Sequence, residues 1–461
     1  MSSFYTVNAA SPDLNEQLLE VIKLSLPYWG SVKVSDLQVI RTENGLTNHL
    51  LIVKAPVALV AGDHPTVIVR IFGDGTDAII DREKEAVLNK ALTDINFETS
   101  KFIAHFANGR IESFIDGKAM DPEDFYSPTT APLVTMSLAP VLSKLHSAVT
   151  SVSVDGENDT ITKGLEFAAV AETISFPDTD PRAEQLQALN LSNVLKEFRE
   201  VVQLVQSAAA DSKGEVEMEC SGSSSSSSNS HSNSTRGVTA VACEPTIIHA
   251  DLLCGNIMVS STTPLVESAV ADTAVETGEP PLKLFLIDME YSGAGAPAYD
   301  IANHFNEWTG LEVDQTLYPD RDMRYEWYRH YLTQRRAYAM GNIRSGSSSG
   351  GGDYTGNVSA QVWEQVWPAD DVRSNTERRV ATLSTFDSLV TLHGLLSHLY
   401  WTIWAITLST KDKAPMDYLD YARLRYVLFG CTRSFLISFY LFVTSLSLSL
   451  SLFLSLSVDL L

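Results

Sequence analysis

The sequence has few cysteines, a shortage of basic residues and no apolar leader, and each of these excludes a class of protein. Its four cysteines contain no CxxC pair, so neither a zinc site nor a disulfide framework is predicted, and a reducing compartment is favoured. Lys and Arg total 33 against 57 acidic residues, and no basic stripe stands out to bind nucleic acid. Residues 1–20 lack both the apolar run of a signal peptide and an Arg-rich transit pattern, so we expect a cytoplasmic protein.

What is present is enough apolar sequence for a large globular fold. The 461 residues are 44% hydrophobic, which fits one two-lobed domain or two ordinary domains. The net charge of -24 is typical of a solvated acidic surface, and it also suits a small cationic substrate.

The segment 248–258 reads Ile-His-Ala-Asp-Leu-Leu-Cys-Gly-Asn-Ile-Met and carries the clearest chemistry. Its apolar flanks place Asp251 and Asn256 on a loop after a buried strand, and a second apolar run, 284–287, ends at Asp288. Phosphoryl transfer needs a carboxylate that accepts the proton of an attacking hydroxyl, and oxygen ligands for Mg²⁺. The alternative is that these polar side chains only satisfy backbone groups in a turn. We therefore predict a phosphotransfer site.

Residues 39–53 predict two strands joined by a polar turn that contains Gly45. Backbone N–H groups at such a tip approach phosphates closely, although an ordinary hairpin turn has the same pattern and the turn is not a GxGxxG loop. Arg70 interrupts the apolar strand 67–72. It would pair with nucleotide phosphates, or with acidic residues of the helix that opens at residues 81–85. The alternatives are a surface arginine and a solvated helix face.

Strands dominate before residue 116, and helices dominate after it, as over 133–147 and 189–205. This order predicts an α+β, two-lobed fold. The N-lobe, residues 1–112, would bind nucleotide phosphates, and the C-lobe, residues 113–429, would carry the catalytic loop and the substrate pocket.

Three inserts, near 208–240, 260–281 and 343–358, are rich in small polar residues. They cannot bury enough apolar surface to offset the entropy of ordering, so we predict mobile, disordered surface loops.

The end of the sequence, 430–461, is an apolar tail rich in Ser and Leu. It is long enough to cross a bilayer, as a membrane anchor would. We favour instead the read-through of a CT dinucleotide repeat, because such a repeat encodes alternating Leu and Ser.

A helix predicted to begin near Asp300 places Asn303, His304 and Glu307 three or four residues apart. These residues then share a face that would line a pocket, while the alternative is a capped helix with one wet face.

A long apolar helix, 392–408, carries Trp401 and Trp404 on one face. With Tyr418 or Tyr421, these rings would form an aromatic box for an ammonium group. The alternative is an ordinary aromatic stripe of the core.

Together, the segments 249–256, 287–291 and 299–308 resemble the choline/ethanolamine kinase family, relatives of the aminoglycoside phosphotransferases within the protein-kinase-like fold. The resemblance covers most of residues 35–429, apart from the inserts. Within the family, the Leu-Leu-Cys run at 252–254 looks like the ethanolamine branch.

The resemblance implies a kinase that uses ATP and Mg²⁺. It implies that Asp251 is the catalytic base and that Asn256 and Asp288 are Mg²⁺ ligands. The implied nucleotide contacts lie in the hairpin, on the next strand and at the hinge between the lobes: Asn44, Gly45, Thr47, Asn48, Arg70, Glu112, Phe114 and Ile115. The implied amino-alcohol pocket consists of Tyr291, Glu307, Trp401, Trp404 and Tyr421.

The activity implied is the phosphorylation of ethanolamine to phosphoethanolamine, the first step of the CDP-ethanolamine route to phosphatidylethanolamine. Choline, or both amino alcohols, is the alternative substrate. A non-catalytic kinase-like binding module is disfavoured, because Asp251, Asn256 and Asp288 are all present. The implied partner is a small-molecule substrate, and no nucleic acid is implied. A homodimer is compatible with the resemblance. A membrane is a partner only if the tail is an anchor.

Overall fold

The computed structural model describes residues 4–42, 48–73, 81–148, 158–213, 230–261, 280–341, 358–368, 373–411 and 416–444. Its β-strands are β1 (Gln38–Arg41), β2 (Asn48–Lys54), β3 (Thr66–Phe72), β4 (Phe102–Phe106), β5 (Gly109–Ser113), β6 (Gly117–Ala119), β7 (Thr246–Ile248), β8 (Ile257–Ser260), β9 (Leu284–Leu286) and β10 (Gly293–Gly295). Its α-helices are α1 (Leu14–Ser25), α2 (Arg82–Asp94), α3 (Glu123–Tyr126), α4 (Ala131–His146), α5 (Asp159–Ala171), α6 (Pro181–Leu189), α7 (Leu191–Lys213), α8 (Ser230–Cys243), α9 (Pro297–Glu307), α10 (Arg321–Ala339), α11 (Ala360–Val366), α12 (Arg373–Leu408) and α13 (Tyr418–Thr444).

The N-lobe is built on an antiparallel sheet with the strand order β1-β2-β3-β5-β4. Alternate residues of each strand point to opposite faces, so Val67, Val69 and Ile111 are buried on one face together with Leu18 of α1. Arg70 therefore points to the other face, toward the C-lobe, and it is buried as well.

The C-lobe is a set of helices arranged around α12. This helix packs against α9 and α13, and α10 packs against α4. Apolar side chains fill two clusters, one that includes Phe305 and Trp327 and one that includes Trp401 and Ile403. Within the described residues, one helical stretch, Thr376–Leu408, is long and apolar enough to cross a bilayer, and 83% of its apolar window is buried in the protein. The predicted α+β, two-lobed fold is confirmed.

Two short sheets in the C-lobe position the loops that carry the polar motifs. β7 pairs with β10, and β8 pairs with both β6 and β9, all antiparallel. Ile248 lies opposite Gly293, and Ile257 lies opposite Leu286. The loop that follows β7 and the turn that follows β9 therefore lie side by side.

The first predicted loop insert, near 208–240, is partly helical. α7 continues to Lys213 and α8 begins at Ser230. The prediction of a mobile loop is therefore wrong for these residues, because an apolar stretch from Val238 to Cys243 packs into the core and extends the helix back into the polar sequence. Residues 214–229 lie outside the described residues.

The other composition-based predictions fall mostly outside the described residues. Nearly all residues of the inserts 260–281 and 343–358 lie outside the described residues, as does the tail beyond residue 444. α13 is continuous across residue 430 and ends at Thr444, so the first half of the tail extends the last helix of the C-lobe.

Candidate active site

The loop after β7 holds Asp251 in a fixed orientation. Nδ2 of Asn256 donates to the backbone carbonyl of Asp251 at 2.8 Å and to its carboxylate Oδ2 at 3.1 Å. Ala250, the residue before Asp251, has a left-handed φ of 66°. That conformation is uncommon for a residue with a Cβ, so the surrounding contacts must sustain it.

Those contacts come from Asp300, in the first turn of α9. Its two carboxylate oxygens accept hydrogen bonds from the backbone N–H groups of His249, at 2.8 Å, and Ala250, at 2.7 Å. Nε2 of His146 lies 3.0 Å from the same carboxylate. Burial opposes ionisation, but the hydrogen bond and charge of His146 outweigh it and lower the pKa of Asp300. Sequence reasoning used Asp300 only as a helix start, and its position in that first turn was the one available signal.

His249 connects the catalytic loop to the turn after β9. Its Nδ1 accepts the backbone N–H of Asp251 at 3.3 Å, which leaves Nε2–H to donate to the carbonyl of Ile287 at 2.9 Å. Burial lowers the pKa of His249, so this neutral tautomer is stable. His249 thus forms hydrogen bonds with backbone groups, as the alternative interpretation of the motif supposed. Within the described residues, no backbone group is hydrogen-bonded to the carboxylate of Asp251, which accepts from the side chain of Asn256 instead.

Four partly buried carboxylates, here called the carboxylate cluster, lie on or beside the loop after β7: Asp251, Asp288, Glu290 and Glu307. Burial, followed by the charges of Glu307, Asp288 and Glu290, raises the pKa of Asp251 well above its ordinary value. Burial and Asp288 raise the pKa of Glu290 to about 7. Uncompensated negative charge of the kind found at Asp251 is relieved by protonation or by bound cations.

On the other side of the cleft, two arginines and two glutamates form what we call the arginine cluster: Arg70, Arg110, Glu85 and Glu112. Arg70 Nε donates to Glu112 at 2.8 Å, and Arg110 contacts both Glu112, at 2.7 Å, and Glu85, at 2.6 Å. Burial would raise the pKa of Glu112, but Arg70 and Arg110 overcome this and lower it to about 2.

The predicted pairing of Arg70 with an acidic residue of α2 is wrong. The register of β3 and β5 places Arg70 directly opposite Arg110, so Arg110 takes the α2 residue Glu85, and Arg70 turns to Glu112. Arg70 is only 4% exposed, which also excludes the alternative of a surface arginine. Its Nη1 donates to Asp288 at 3.0 Å and so connects the two lobes.

A second connection between the lobes runs through Glu290. Its Oε2 accepts hydrogen bonds from Asn48 at 3.2 Å and from Arg82 at 3.4 Å, while Arg82 also donates to Asn48 at 3.1 Å. The hairpin residues Asn44, Gly45 and Thr47 lie outside the described residues.

The predicted hinge follows directly from β5. The side chain of Glu112 is committed to the arginine cluster, so only its backbone is available to a nucleotide. Ile115 is buried, and Lys54 Nζ lies 5.6 Å from the ring of Phe114. The chain then enters β6, which places these residues at the junction of the lobes.

Asn256 and Asp288 fit the chemistry of a magnesium site. Ile287 N–H donates to the carbonyl of Asn256 at 2.9 Å, which brings Asp288 beside Asn256. Because Nδ2 of Asn256 is directed at Asp251, its oxygen Oδ1 points elsewhere and is available as a ligand. The described residues contain no cluster of three His, Cys, Asp or Glu side chains that would hold a metal alone. Mg²⁺ usually takes one or two protein oxygens and completes its shell with phosphates and water, so this small donor set is sufficient.

Aromatic rings from α12 and from the turn after β9 form a corner next to Asp251. The ring of Tyr291 lies 5.4 Å from Trp401, and Trp401 lies 5.2 Å from Trp404, both edge to face. Trp404 Nε1 donates to the hydroxyl of Tyr291 at 2.8 Å. The ring that extends the corner is Tyr418, 5.7 Å from Trp404, rather than Tyr421. The structure thus brings together Tyr291, Trp401 and Trp404, as the aromatic-box interpretation requires.

Glu307, at the end of α9, is paired with an arginine that sequence reasoning missed. Arg425 Nη1 donates to Glu307 Oε1 at 2.8 Å, and the guanidinium lies 5.9 Å from the ring of Tyr421. Burial, together with the charges of Glu307 and Asp251, raises the pKa of Tyr421, although Arg425 acts to lower it.

Asn303 and Glu307 share a face of α9 that meets α12 and α13, as predicted: Asn303 accepts from Ser397, and Glu307 accepts from Arg425. The prediction is wrong for His304. Its Nδ1 lies 3.1 Å from the carbonyl of Leu252, and its ring packs on Phe125. Burial lowers the pKa of His304 to about 4. At 100° per residue, one position is enough to turn a side chain toward different neighbours.

Two solved structures share this architecture. An ethanolamine kinase from Plasmodium vivax aligns with a TM-score of 0.62 and 20% identity over 94% of this chain and 92% of its own. A choline kinase from Cryptosporidium parvum aligns with a TM-score of 0.60 and 19% identity over 92% and 96%. A small sheet and a helical lobe that enclose such a loop define the protein-kinase-like fold.

The chain belongs to the choline/ethanolamine kinase family, whose sequence model matches residues 39–430. A probable ethanolamine kinase from Arabidopsis thaliana is 26% identical over 418 residues, which cover 90% of this chain and 84% of the relative. Ethanolamine kinase 1 of Mus musculus is 27% identical over 411 residues, covering 88% and 86%.

Proposed function

We propose that this protein phosphorylates ethanolamine with ATP to form phosphoethanolamine, and so supplies the synthesis of phosphatidylethanolamine. The observation that carries the proposal is the partly buried carboxylate cluster beside an aromatic corner. A small cation that also bears a hydroxyl group matches both features. The similarity to relatives named ethanolamine kinase supports the same substrate.

In this proposal Asp251 is the catalytic base. Asn256 fixes its carboxylate, and a pKa well above the ordinary value moves Asp251 toward the range in which a base accepts a proton efficiently near neutral pH. The carboxylate would accept the proton of the substrate hydroxyl as that oxygen attacks the γ-phosphate in line.

Asn256 and Asp288 would hold Mg²⁺, which when bound neutralises charge on the phosphate oxygens. Arg70 already contacts Asp288 at 3.0 Å, so its guanidinium lies next to the place where phosphates would bind. Glu112 holds Arg70 from the opposite side and limits the orientations open to it. The backbone of residues 112–115 would contact the adenine.

The ammonium group of the substrate would lie between Glu307 and the faces of Tyr291, Trp401 and Trp404. Glu307 supplies charge and an acceptor for N–H, and the rings supply π faces. The same corner of tryptophans suits the methyl groups of choline, so choline is the second candidate substrate. The cysteine usage supports a cytoplasmic location.

The test is an assay of the purified full chain with ATP, MgCl₂ and either ethanolamine or choline, including both together in competition. We expect phosphoethanolamine to form with the larger kcat/KM, and Asp251→Ala to abolish turnover while ATP still binds. A higher kcat/KM for choline would reassign the substrate, and no turnover of either amino alcohol would refute the proposal.

A further inference from the structure

Arg425 is a buried cation on α13 that contacts Glu307, which the proposed function places at the substrate ammonium. It is 1% exposed, and its Nη1 donates to Oε1 of Glu307 at 2.8 Å. Its Nη2 donates to the hydroxyl of Ser397, on α12, at 3.2 Å. The guanidinium is therefore held between α9, α12 and α13, and it meets the one carboxylate expected to contact the substrate cation.

The contact with Ser397 continues to the aromatic corner. Ser397 Oγ donates to Oδ1 of Asn303 at 2.8 Å, and the same oxygen accepts the indole N–H of Trp401 at 2.7 Å. Since the Ser397 hydroxyl accepts from Arg425 and donates to Asn303, its orientation is fixed at both ends. One chain of hydrogen bonds thus connects the Glu307 carboxylate to the Trp401 ring.

The contact between Arg425 and Glu307 also determines which oxygen of Glu307 is available to a substrate. Arg425 occupies Oε1, and the planar guanidinium restricts rotation of the carboxylate, so Oε2 is the oxygen left for a ligand. A primary ammonium has N–H donors that need an acceptor in a definite direction. A quaternary ammonium has none, and it depends on charge and on π faces.

We propose that Arg425 is a positioning residue that orients Glu307 and Trp401 for a primary ammonium, and thereby favours ethanolamine over choline. This rests on the proposed function of the same pocket. Arg425 need not contact the substrate; it acts through Glu307 on one side and through Ser397 and Asn303 on the other.

The experiment compares Arg425→Gln and Arg425→Lys with the natural chain, each assayed with ethanolamine and with choline. For Arg425→Gln we expect the KM for ethanolamine to rise about tenfold to a hundredfold, the equivalent of losing one charged hydrogen bond. The KM for choline should rise about threefold or less, and the KM for ATP should stay within about twofold. Arg425→Lys should be intermediate, because it keeps the charge but loses the planar fork.

Arg423→Gln is the matched control. Arg423 lies two residues earlier on the same helix and pairs with Asp420 at the surface, with a side chain 55% exposed, so its loss should leave both substrates unchanged. Ser397→Ala covers the case in which neither Arg425 variant folds. It interrupts the chain of hydrogen bonds with little loss of volume, and we expect the KM for ethanolamine to rise about threefold.

Equal losses for ethanolamine and choline, or an unchanged ethanolamine KM in a folded Arg425 variant, would overturn the proposal. If no Arg425 variant folds, an unchanged KM in Ser397→Ala overturns it. These outcomes differ from a failure of the proposed function, in which the natural chain itself phosphorylates neither amino alcohol.

Discussion

The arginine cluster is buried and the carboxylate cluster is partly buried, and the two shift the pKa values of their acids in opposite directions. In the arginine cluster, Arg70 and Arg110 contact Glu112 and lower its pKa to about 2 in spite of burial. In the carboxylate cluster, Asp251 contacts Asn256 but no cationic side chain of the described residues, and burial with its acidic neighbours raises its pKa.

This difference in pKa shift distinguishes charges that stabilise the fold from charges that are available to a ligand. Charges matched within the protein need no ligand, and removing one member leaves its partner buried and unpaired. In the carboxylate cluster, Asp288, Glu290 and Glu307 are paired with Arg70, Arg82 and Arg425, and Asp251 is the member left without a cationic partner among the described residues. A carboxylate left unmatched in this way costs stability until a cation arrives, so it is expected where a cationic substrate or a metal binds. Neutralising Asp251 and neutralising Glu112 should therefore change stability in opposite directions.

The largest expected effect is on turnover in Asp251→Asn. Removing the base should lower kcat by about a thousandfold or more, since general base catalysis contributes up to about 10⁴. The same change removes repulsion from the carboxylate cluster, so we expect the free energy of unfolding to rise by about 1 kcal/mol. Steady-state kinetics and urea unfolding measure the two effects on one preparation.

The changes in kcat and in the free energy of unfolding together distinguish a catalytic Asp251 from a structural one. Loss of turnover with lower stability would mean that Asp251 is structural. Turnover within about tenfold of the natural chain would remove Asp251 from the role of base altogether.

The opposite change in stability is expected for Glu112→Gln. Arg70 and Arg110 would lose their shared carboxylate, so the free energy of unfolding should fall by about 3 kcal/mol. Lys90→Gln, which breaks an exposed pair with Asp94 on α2, is the control and should change it by less than about 0.5 kcal/mol. A Glu112→Gln protein as stable as the control would contradict the prediction that the two clusters respond in opposite directions.

Acid titration adds a direct check on Glu112. Its folded pKa, about 2, is below the ordinary 4.5, so its stabilisation is present above pH 4.5 and is lost as the pH falls through about 2. The natural chain should therefore lose stability across this window more steeply than Glu112→Gln, as followed by circular dichroism.

The proximity of Asp251, Asn256 and Asp288 could be predicted from the sequence because they lie on the loop after β7 and at the end of β9, and strand ends fix nearby polar residues in space. The contact between Arg425 and Glu307 could not, since 118 residues separate them and only the packing of α9 and α13 against α12 brings them together. Local patterns carry the chemistry of this site, and tertiary packing decides which charges are paired.

The predicted pairing of Arg70 with α2 failed for a related reason, whereas its predicted contact with nucleotide phosphates stays a prediction. Sequence order suggested a partner on the helix that follows the strand, but the register of β3 with β5 introduced Arg110 as a competitor for that partner. Arg110 and Glu112 are two apart on one strand and so share a face, which was the available signal for their pairing.

A smaller, pH-dependent effect is expected at the contact between the lobes. The folded pKa of Glu290, about 7, is above the ordinary 4.5, so its stabilisation is present below pH 4.5 and is lost as the pH rises through about 7. Glu290→Gln mimics the protonated form at every pH. The Tm of the natural chain relative to this variant should therefore fall by about 2–4 °C between pH 4.5 and 7.5, as measured by calorimetry without ligands.

The exposed Glu326→Gln is the control for this titration, because the ion pairs that Glu326 forms within the described residues, with Arg329 and His330, lie at the surface. A constant Tm difference between the natural chain and Glu290→Gln across the pH range would show that Glu290 does not titrate with folding. The contact of Asn48 and Arg82 with its carboxylate would then be independent of pH.

The smallest expected effect tests the aromatic corner, where the carboxylate cluster meets the substrate. Tyr291→Phe removes the acceptor of the Trp404 indole N–H, now at 2.8 Å, but keeps the ring against Trp401. Because the π faces remain, we expect the KM for ethanolamine to rise only about twofold to fivefold, with kcat within about twofold. Tyr328→Phe, which loses a similar hydrogen bond to Asp387 outside the pocket, should leave the KM unchanged. If both variants behave alike, the orientation of Trp404 does not matter to binding, and the charge of the cluster alone selects the substrate.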